Sequence, residues 1–192
     1  MKKILILIIA LCSTAIFAAK GTMNVDTKTS KVKWIATKVT GSHDGHIKLK
    51  KGNLVFKDRE LVGGELVIDM GTITCDDVKS AEYNKKFVAH LNNDDFFSVT
   101  KFKTAKLVVK SARLGKGGHF DVTADLTIKG ITKPIMFRAN INHGKNGVVA
   151  DAEIKFNRTH YGIKYGSGSY FTDLGDKMIH DDVVLKVKLS AK

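Results

Sequence analysis

Strict alternation between apolar and polar residues across residues 119–141 constrains the fold most strongly. In residues 120–128 every second side chain is apolar, and Asp or Thr stands between. The same period returns in residues 135–141, after a break that contains the single proline, Pro134. A period of two gives a strand one apolar face and one polar, solvent-facing face. Long strands of this kind are typical of an antiparallel barrel or sandwich with an apolar interior.

Six further segments follow the same period, which brings the number of predicted strands to eight. These segments are residues 30–38, 47–56, 66–70, 105–109, 148–156 and 183–189. The apolar positions change from odd to even residue numbers across residues 50–52, which predicts a β-bulge in the second strand. Residues 77–91 have roughly helical spacing, with Thr74, Asp76 and Asp77 as candidate caps. The sequence therefore predicts an all-β fold, an eight-stranded antiparallel β-barrel with one helical insertion.

The first residues have the pattern of a secretory signal peptide. Two lysines precede an apolar run at residues 4–11, and small residues then lead to a predicted cleavage point after Ala18. We therefore expect residues 1–18 to be removed, leaving one domain, residues 19–192, in a periplasmic or otherwise secreted protein. That domain has a single cysteine, Cys75, for which we expect the role of a small apolar side chain rather than a disulfide.

Basic residues outnumber acidic residues, and the formal net charge is +13. Most of the basic residues are single lysines at outward strand positions, which is typical of a solvated face. Secretion and the lack of interleaved aromatic residues argue against a nucleic-acid partner. Transient contact with an anionic membrane surface fits the charge. Charged outward positions such as Arg138 and Lys186 argue against a barrel that spans a membrane.

Many inward positions of the predicted strands carry alanine. Alanine leaves volume in the lumen, and a dry apolar void is a site for an apolar ligand. Alternatively, alanine fits the taper of a barrel filled by its own side chains, and the pattern alone leaves both interpretations open. For a ligand-binding lumen, the predicted wall is Trp34, Ala36, Leu107, Phe120, Val122, Ala124, Leu126, Phe137, Ala139, Ala150, Ala152, Ile154, Phe156 and Leu185.

Four segments in order along the chain resemble the YceI-like family. The most specific is LTIKGITKPI at residues 126–135. The others are GSHDG at residues 41–45, HL at residues 90–91 followed by DFF at residues 95–97, and RTHYGI at residues 158–163. Together they extend over essentially the whole predicted domain, and one departure is Thr29-Ser30, where members of the family carry a His-Ser pair.

The resemblance implies a secreted, lipocalin-like barrel of eight antiparallel strands with a helical insertion. Members of the family are described as binding polyisoprenoid or other long amphiphilic lipids in the lumen. The resemblance therefore implies an amphiphilic lipid as the partner, held for sequestration or transport, with no other cofactor. The departure at residues 29–30 leaves the identity of that lipid open.

Three polar side chains are candidates for contact with a lipid head group: His43, His90 and Arg158. Arg158 suits either a phosphate or carboxylate head group or a buried aspartate within the protein. His43 and His46, together with Asp44, are too few ligands for a metal site, so no metal is predicted.

The sequence contains no nucleophile elbow, phosphate-binding loop or zinc-protease motif, so no catalytic residue is predicted and the chain is not expected to be an enzyme. Two other interpretations stay open: an enzyme that acts on a lipid or quinone, and a structural stress-response barrel with a filled core. The oligomeric state also stays open, a homodimer included.

Overall fold

Antiparallel strands make up most of the computed structural model, which describes residues 20–192. The predicted signal peptide, residues 1–18, lies outside the described residues. The strands are β1 (Lys20–Asn24), β2 (Lys31–Lys38), β3 (Gly41–Lys57), β4 (Glu60–Asp69), β5 (Thr104–Leu114), β6 (Phe120–Ile128), β7 (Ile131–Gly144), β8 (Gly147–Asn157) and β9 (Ile179–Ala191), with one α-helix, α1 (Ala81–Asn92). In this part of the chain no helix is both long and apolar enough to cross a bilayer.

Strands β2 to β9 close into the predicted eight-stranded barrel. Each pairs antiparallel with its neighbours in sequence, and β9 pairs with β2 to complete the ring. A short ninth strand, β1, was not predicted. It pairs with the second half of β3, and Asn24 exchanges backbone hydrogen bonds with Lys192 at the end of β9. Strand β1 therefore continues the barrel wall beyond the first residues of β2, along the second half of β3.

The predicted bulge in β3 is confirmed. The pairing register with β4 shifts between Leu49 and Lys51. The extra residue restores the inward direction of Leu54 and Phe56, which are both buried in the lumen. The alternation of the sequence and the bulge thus together keep one face of a 17-residue strand apolar.

The helix begins later than predicted. Its N-cap is Ser80, whose side chain accepts a hydrogen bond from the Tyr83 N–H, so the prediction that Thr74, Asp76 or Asp77 caps it was wrong. Residues 72–77 instead extend along the edge of β3 that β4 leaves unpaired. The N–H groups of Thr74 and Asp76 donate to the carbonyl oxygens of His46 and Asp44. This segment covers the exposed edge and places α1 at one end of the barrel.

Candidate functional site

The lumen contains an apolar cavity at the end of the barrel that α1 covers, which we call the inner pocket. Its volume is about 100 Å³. Its lining comes from strand residues and from segments outside the strands. These residues are Val32, Trp34, Ala36, Ile47, Ile68, Met70, Ile73, Leu91, Phe96, Phe97, Ala105, Leu126, Ile128, Phe156, Arg158, Ile163, Ile179, Val183 and Leu185. Apart from Arg158 every side chain is apolar, so the cavity favours an apolar ligand over water.

A second cavity, the far pocket, lies farther along the lumen and has a volume of about 50 Å³. It shares no lining residue with the inner pocket. On β6, Val122 lines the far pocket and Leu126 lines the inner pocket, while Ala124 between them is fully buried and lines neither. The lumen therefore contains two separate cavities.

The predicted wall residues are distributed between the two pockets. Five line the inner pocket: Trp34, Ala36, Leu126, Phe156 and Leu185. Seven line the far pocket: Leu107, Val122, Phe137, Ala139, Ala150, Ala152 and Ile154. Phe120 and Ala124 line neither and are packed in the core.

Sequence reasoning missed the residues that close the end of the inner pocket. Ile73, Phe96 and Phe97 line it from segments without alternation, and Leu91 lines it from α1. Met70 also lines it, from the end of the predicted strand 66–70, and was left out of the predicted wall. An apolar residue in a segment without period is a weak signal, because its direction depends on how that segment docks on the barrel. The helical spacing that includes Leu91 and the alternation that ends at Met70 were the two available signals.

Beside the inner pocket lies a larger depression, the mouth, with a volume of about 300 Å³. The two share five lining residues: Trp34, Ala36, Leu91, Phe96 and Ile179. The rest of the mouth is more polar. Its remaining residues are Thr37, Lys38, His43, Phe87, His90, Tyr165 and Lys177. Two of the three predicted head-group residues, His43 and His90, therefore lie together where an apolar cavity meets water.

His43 lies between α1 and the segment before it. Its Nδ1 lies 2.7 Å from Asp77 Oδ2, and its ring centroid lies 4.5 Å from that of Phe87. Burial by itself would raise the pKa of Asp77, but hydrogen bonds from the Asp44 N–H, His43 and Cys75 outweigh it and lower that pKa to about 2. Asp77 is therefore ionised near neutral pH and holds the imidazole in one orientation.

His90 also lines the mouth and lies in the last turn of α1. Its Nε2 lies 3.0 Å from Asp95 Oδ2, and its ring contacts Phe96 and Tyr165 edge to face, with centroids 5.0 and 4.8 Å away. Each histidine thus has an aspartate partner on one ring nitrogen, and the orientation of both rings is set by aromatic packing.

Arg158, the third head-group candidate, is buried inside the protein, with only 3% of its surface exposed. Its Nε donates to the His180 carbonyl oxygen, and its Nη1 donates to those of Ile163 and Tyr165. Its Nη2 donates to Ile179 O and to Asp181 Oδ1, at 3.0 and 3.4 Å. All five guanidinium N–H groups therefore have acceptors within the protein. The structure favours the internal pairing over a head-group contact.

Cys75 is buried beside the mouth. Its Sγ donates to Asp77 Oδ1 at 3.2 Å, so one carboxylate contacts both the thiol and His43. Burial raises the pKa of the Cys75 thiol, and the neighbouring Asp77 carboxylate adds to that effect. The thiol is therefore protonated near neutral pH and is a weak nucleophile.

Solved structures of similar fold include two proteins that the chain matches over most of its length. BcnA of Burkholderia cenocepacia has a TM-score of 0.72 at 20% identity, covering 88% of this chain and 99% of that one. A polyisoprenoid binding domain from Saccharophagus degradans has a TM-score of 0.66 at 15% identity, covering 92% of this chain and 99% of that one. At these identities the likeness concerns the fold alone.

Sequence comparisons identify the family. A UPF0312 protein of Shewanella denitrificans is 30% identical over 125 residues, which span 61% of this chain and 62% of that protein. Protein YceI of Shigella flexneri is 27% identical over 143 residues, which span 71% of this chain and 68% of that protein. The family model for the YceI-like domain matches residues 23–191. The chain therefore belongs to the YceI-like family, as the motifs of its sequence predict.

Proposed function

We propose that this chain is a secreted binding protein that holds a long apolar lipid, of isoprenoid type, in the inner pocket and the mouth. The observation that carries the proposal is that the two lie side by side. Five apolar residues line both, so a dry cavity and a partly polar depression are separated by no more than those side chains. An amphiphile with an apolar tail and a polar head matches that order of surfaces.

The apolar surface supplies the binding energy. Each Å² of apolar area removed from water contributes about 25 cal/mol. An engineered cavity of roughly 150 Å³ binds benzene, so the inner pocket of about 100 Å³ takes only the end of a tail. The adjoining segment of the tail lies in the mouth, and the head group lies near His43 and His90.

Helix α1 is the proposed entry route. Leu91 is its one fully buried residue, so displacing the helix exposes little core. The loop after residue 161 carries exposed aromatic side chains, Tyr165, Tyr170 and Phe171, each about half exposed, and Tyr165 lines the mouth. Lys164 lies over the Tyr170 ring, and Lys177 lines the mouth. This combination suits transient contact with an anionic membrane from which a lipid is taken up.

Two further observations support the proposed secretion and the proposed class of ligand. Residues 1–18 have the pattern of a signal peptide, which favours a periplasmic or otherwise extracellular location. A structurally similar domain from Saccharophagus degradans is named for polyisoprenoid binding, which supports an isoprenoid as the ligand class. We propose no cofactor besides that lipid.

Extraction of the purified protein with organic solvent, followed by mass spectrometry, tests the proposal. We expect a prenyl lipid in the extract and uptake of a fluorescent prenyl-quinone analogue by the lipid-free protein. In Ala105→Leu the larger side chain fills part of the inner pocket, which should weaken uptake at least about tenfold. Ala150→Leu, in the far pocket, is the matched control and should leave uptake unchanged.

Thermal unfolding of both variants separates a blocked pocket from a misfolded barrel. A lipid-free extract together with no uptake of the analogue would contradict the proposal. Equal uptake by wild type and a folded Ala105→Leu variant would show that the tail binds elsewhere.

A second candidate function, an enzyme that acts on a lipid or quinone, is favoured by one observation: two His–Asp pairs face the mouth. His90→Ala distinguishes the two. Loss of turnover in this variant, with retained binding of the analogue, supports the enzyme. If wild type shows no measurable turnover and the variant binds the analogue as wild type does, the binding protein is supported.

A further inference from the structure

Three side chains of different chemistry meet beside the mouth, and we call them the His-Cys-Asp cluster: His43, Cys75 and Asp77. One ligand atom of each, a ring nitrogen, the thiol sulfur and a carboxylate oxygen, lies within 4.8 Å of the other two. In tetrahedral zinc sites, with Zn–S near 2.3 Å and Zn–N or Zn–O near 2.0–2.1 Å, ligand atoms are about 3.3–3.6 Å apart. Side-chain shifts of about 1 Å therefore bring the cluster to coordination geometry.

The cluster is held by its surroundings rather than by chance contact. The Asp44 N–H donates to Asp77 Oδ1 at 3.0 Å, which orients the carboxylate. Asn84 on α1 donates to the Cys75 carbonyl oxygen at 2.7 Å, which fixes the backbone of the cysteine. Phe87 packs against the His43 ring. Supporting contacts of this kind orient the ligands of metal sites in proteins.

Neighbouring charged groups are already paired with each other. Lys33 Nζ lies 2.7 Å from Asp44 Oδ2, and His46 Nδ1 lies 2.6 Å from Asp76 Oδ2. Among the described residues, the atoms that meet at the cluster are thus those of one imidazole, one thiol and one carboxylate. The set considered from the sequence was His43, His46 and Asp44, which are neighbours in the chain. The structure instead joins His43 to Cys75 and Asp77, which come from a distant segment.

We propose that His43, Cys75 and Asp77 form a site for a borderline-soft divalent cation of the zinc class. Imidazole and thiolate ligands select such ions over Mg²⁺ and Ca²⁺, which prefer oxygen. Three protein ligands leave a fourth position for water or a donor atom from a ligand in the mouth.

The charges and protons balance in this site. The cation replaces the two hydrogen bonds that Asp77 now makes with His43 and Cys75. The thiol proton leaves to solvent as Cys75 binds as the thiolate. The proton that His43 Nδ1 now donates to Asp77 leaves that nitrogen, and neutral His43 then binds through Nδ1 and carries its proton on Nε2. One divalent cation, one thiolate and one carboxylate then sum to zero net charge.

Titration of the purified, tag-free protein with Co²⁺ tests this site directly, because Co²⁺ bound to a thiolate absorbs in the near ultraviolet. We expect a charge-transfer band that saturates at one Co²⁺ per chain and is lost on addition of Zn²⁺. Cys75→Ser should abolish the band. Asp77→Asn, which retains an acceptor for the Asp44 N–H, should weaken cobalt affinity at least about tenfold.

His46→Ala is the matched control, since His46 is paired with Asp76 outside the cluster, and its cobalt spectrum should equal that of wild type. Circular dichroism of each variant establishes that it is folded. A wild-type protein without the band, or a folded Cys75→Ser variant that retains it, would overturn the proposal. Because the readout involves no lipid, its failure leaves the lipid-binding proposal unaffected, and the reverse also holds.

Discussion

At the residue scale, three side chains that look equivalent in the sequence have different roles in the structure. His43 and His90 lie on the mouth, each paired with an aspartate, whereas Arg158 lies inside the protein with all five N–H groups bonded. Burial lowers the pKa of the guanidinium and the Asp181 carboxylate opposes that effect, so the arginine stays charged. It joins β8, β9 and the loop after residue 161 through four backbone carbonyl oxygens.

Replacing Arg158 with methionine should lower the free energy of unfolding by about 3–5 kcal/mol, because four carbonyl oxygens and Asp181 lose their donors in a buried place. Chemical denaturation with urea measures this change. Arg113→Met, at an exposed position on β5, should change stability by less than about 0.5 kcal/mol. Equal stability of the two variants would contradict the structural role given to Arg158.

At the element scale, the segment at residues 72–77 is the part that sequence patterns described least well. The paired aspartates suggested helix caps, but the segment pairs with β3 and supplies Asp77 to the cluster. Trp34 secures it from inside the barrel, where Nε1 donates to the Thr74 carbonyl oxygen at 2.9 Å. That close approach depends on Gly45, because a Cβ at this position would overlap the same carbonyl group.

Gly45→Ala should therefore detach the segment from β3 and lower the free energy of unfolding by about 1–3 kcal/mol. Amide hydrogen exchange should accelerate at Thr74 and Asp76, whose N–H groups bond to β3. Gly63→Ala is the control, because the nearest atom to its added Cβ, in Val55, is at ordinary contact distance, 3.8 Å. Unchanged exchange at Thr74 in Gly45→Ala would show that the segment has other anchors.

At the scale of the whole molecule, the barrel is neither filled nor open along its length. The inner and far pockets are separate, and on β6 the wholly buried Ala124 lies between them. Only the inner pocket shares lining residues with the mouth. For the proposed ligand, the depth of the site is therefore that of the mouth and the inner pocket.

A homologous series of prenyl alcohols tests that depth. Each buried CH₂ contributes about 0.8 kcal/mol, so affinity should rise with tail length until the inner pocket and mouth are full, and should then level off. Competition against the fluorescent prenyl-quinone analogue measures the series. A continued rise over long tails would show that the side chains between the two cavities move apart and join the far pocket to the site.

The sequence by itself determined the barrel, its bulge and the apolar face of each strand, because side-chain direction on a strand follows a period of two that is local in the chain. Leu126 and Ala150 could be assigned to the lumen in this way. Division of the lumen, burial of Arg158 and the meeting of His43 with Cys75 and Asp77 were decided only by the tertiary structure. Those features depend on contacts between segments more than 20 residues apart in the chain, for which the sequence carries no local period.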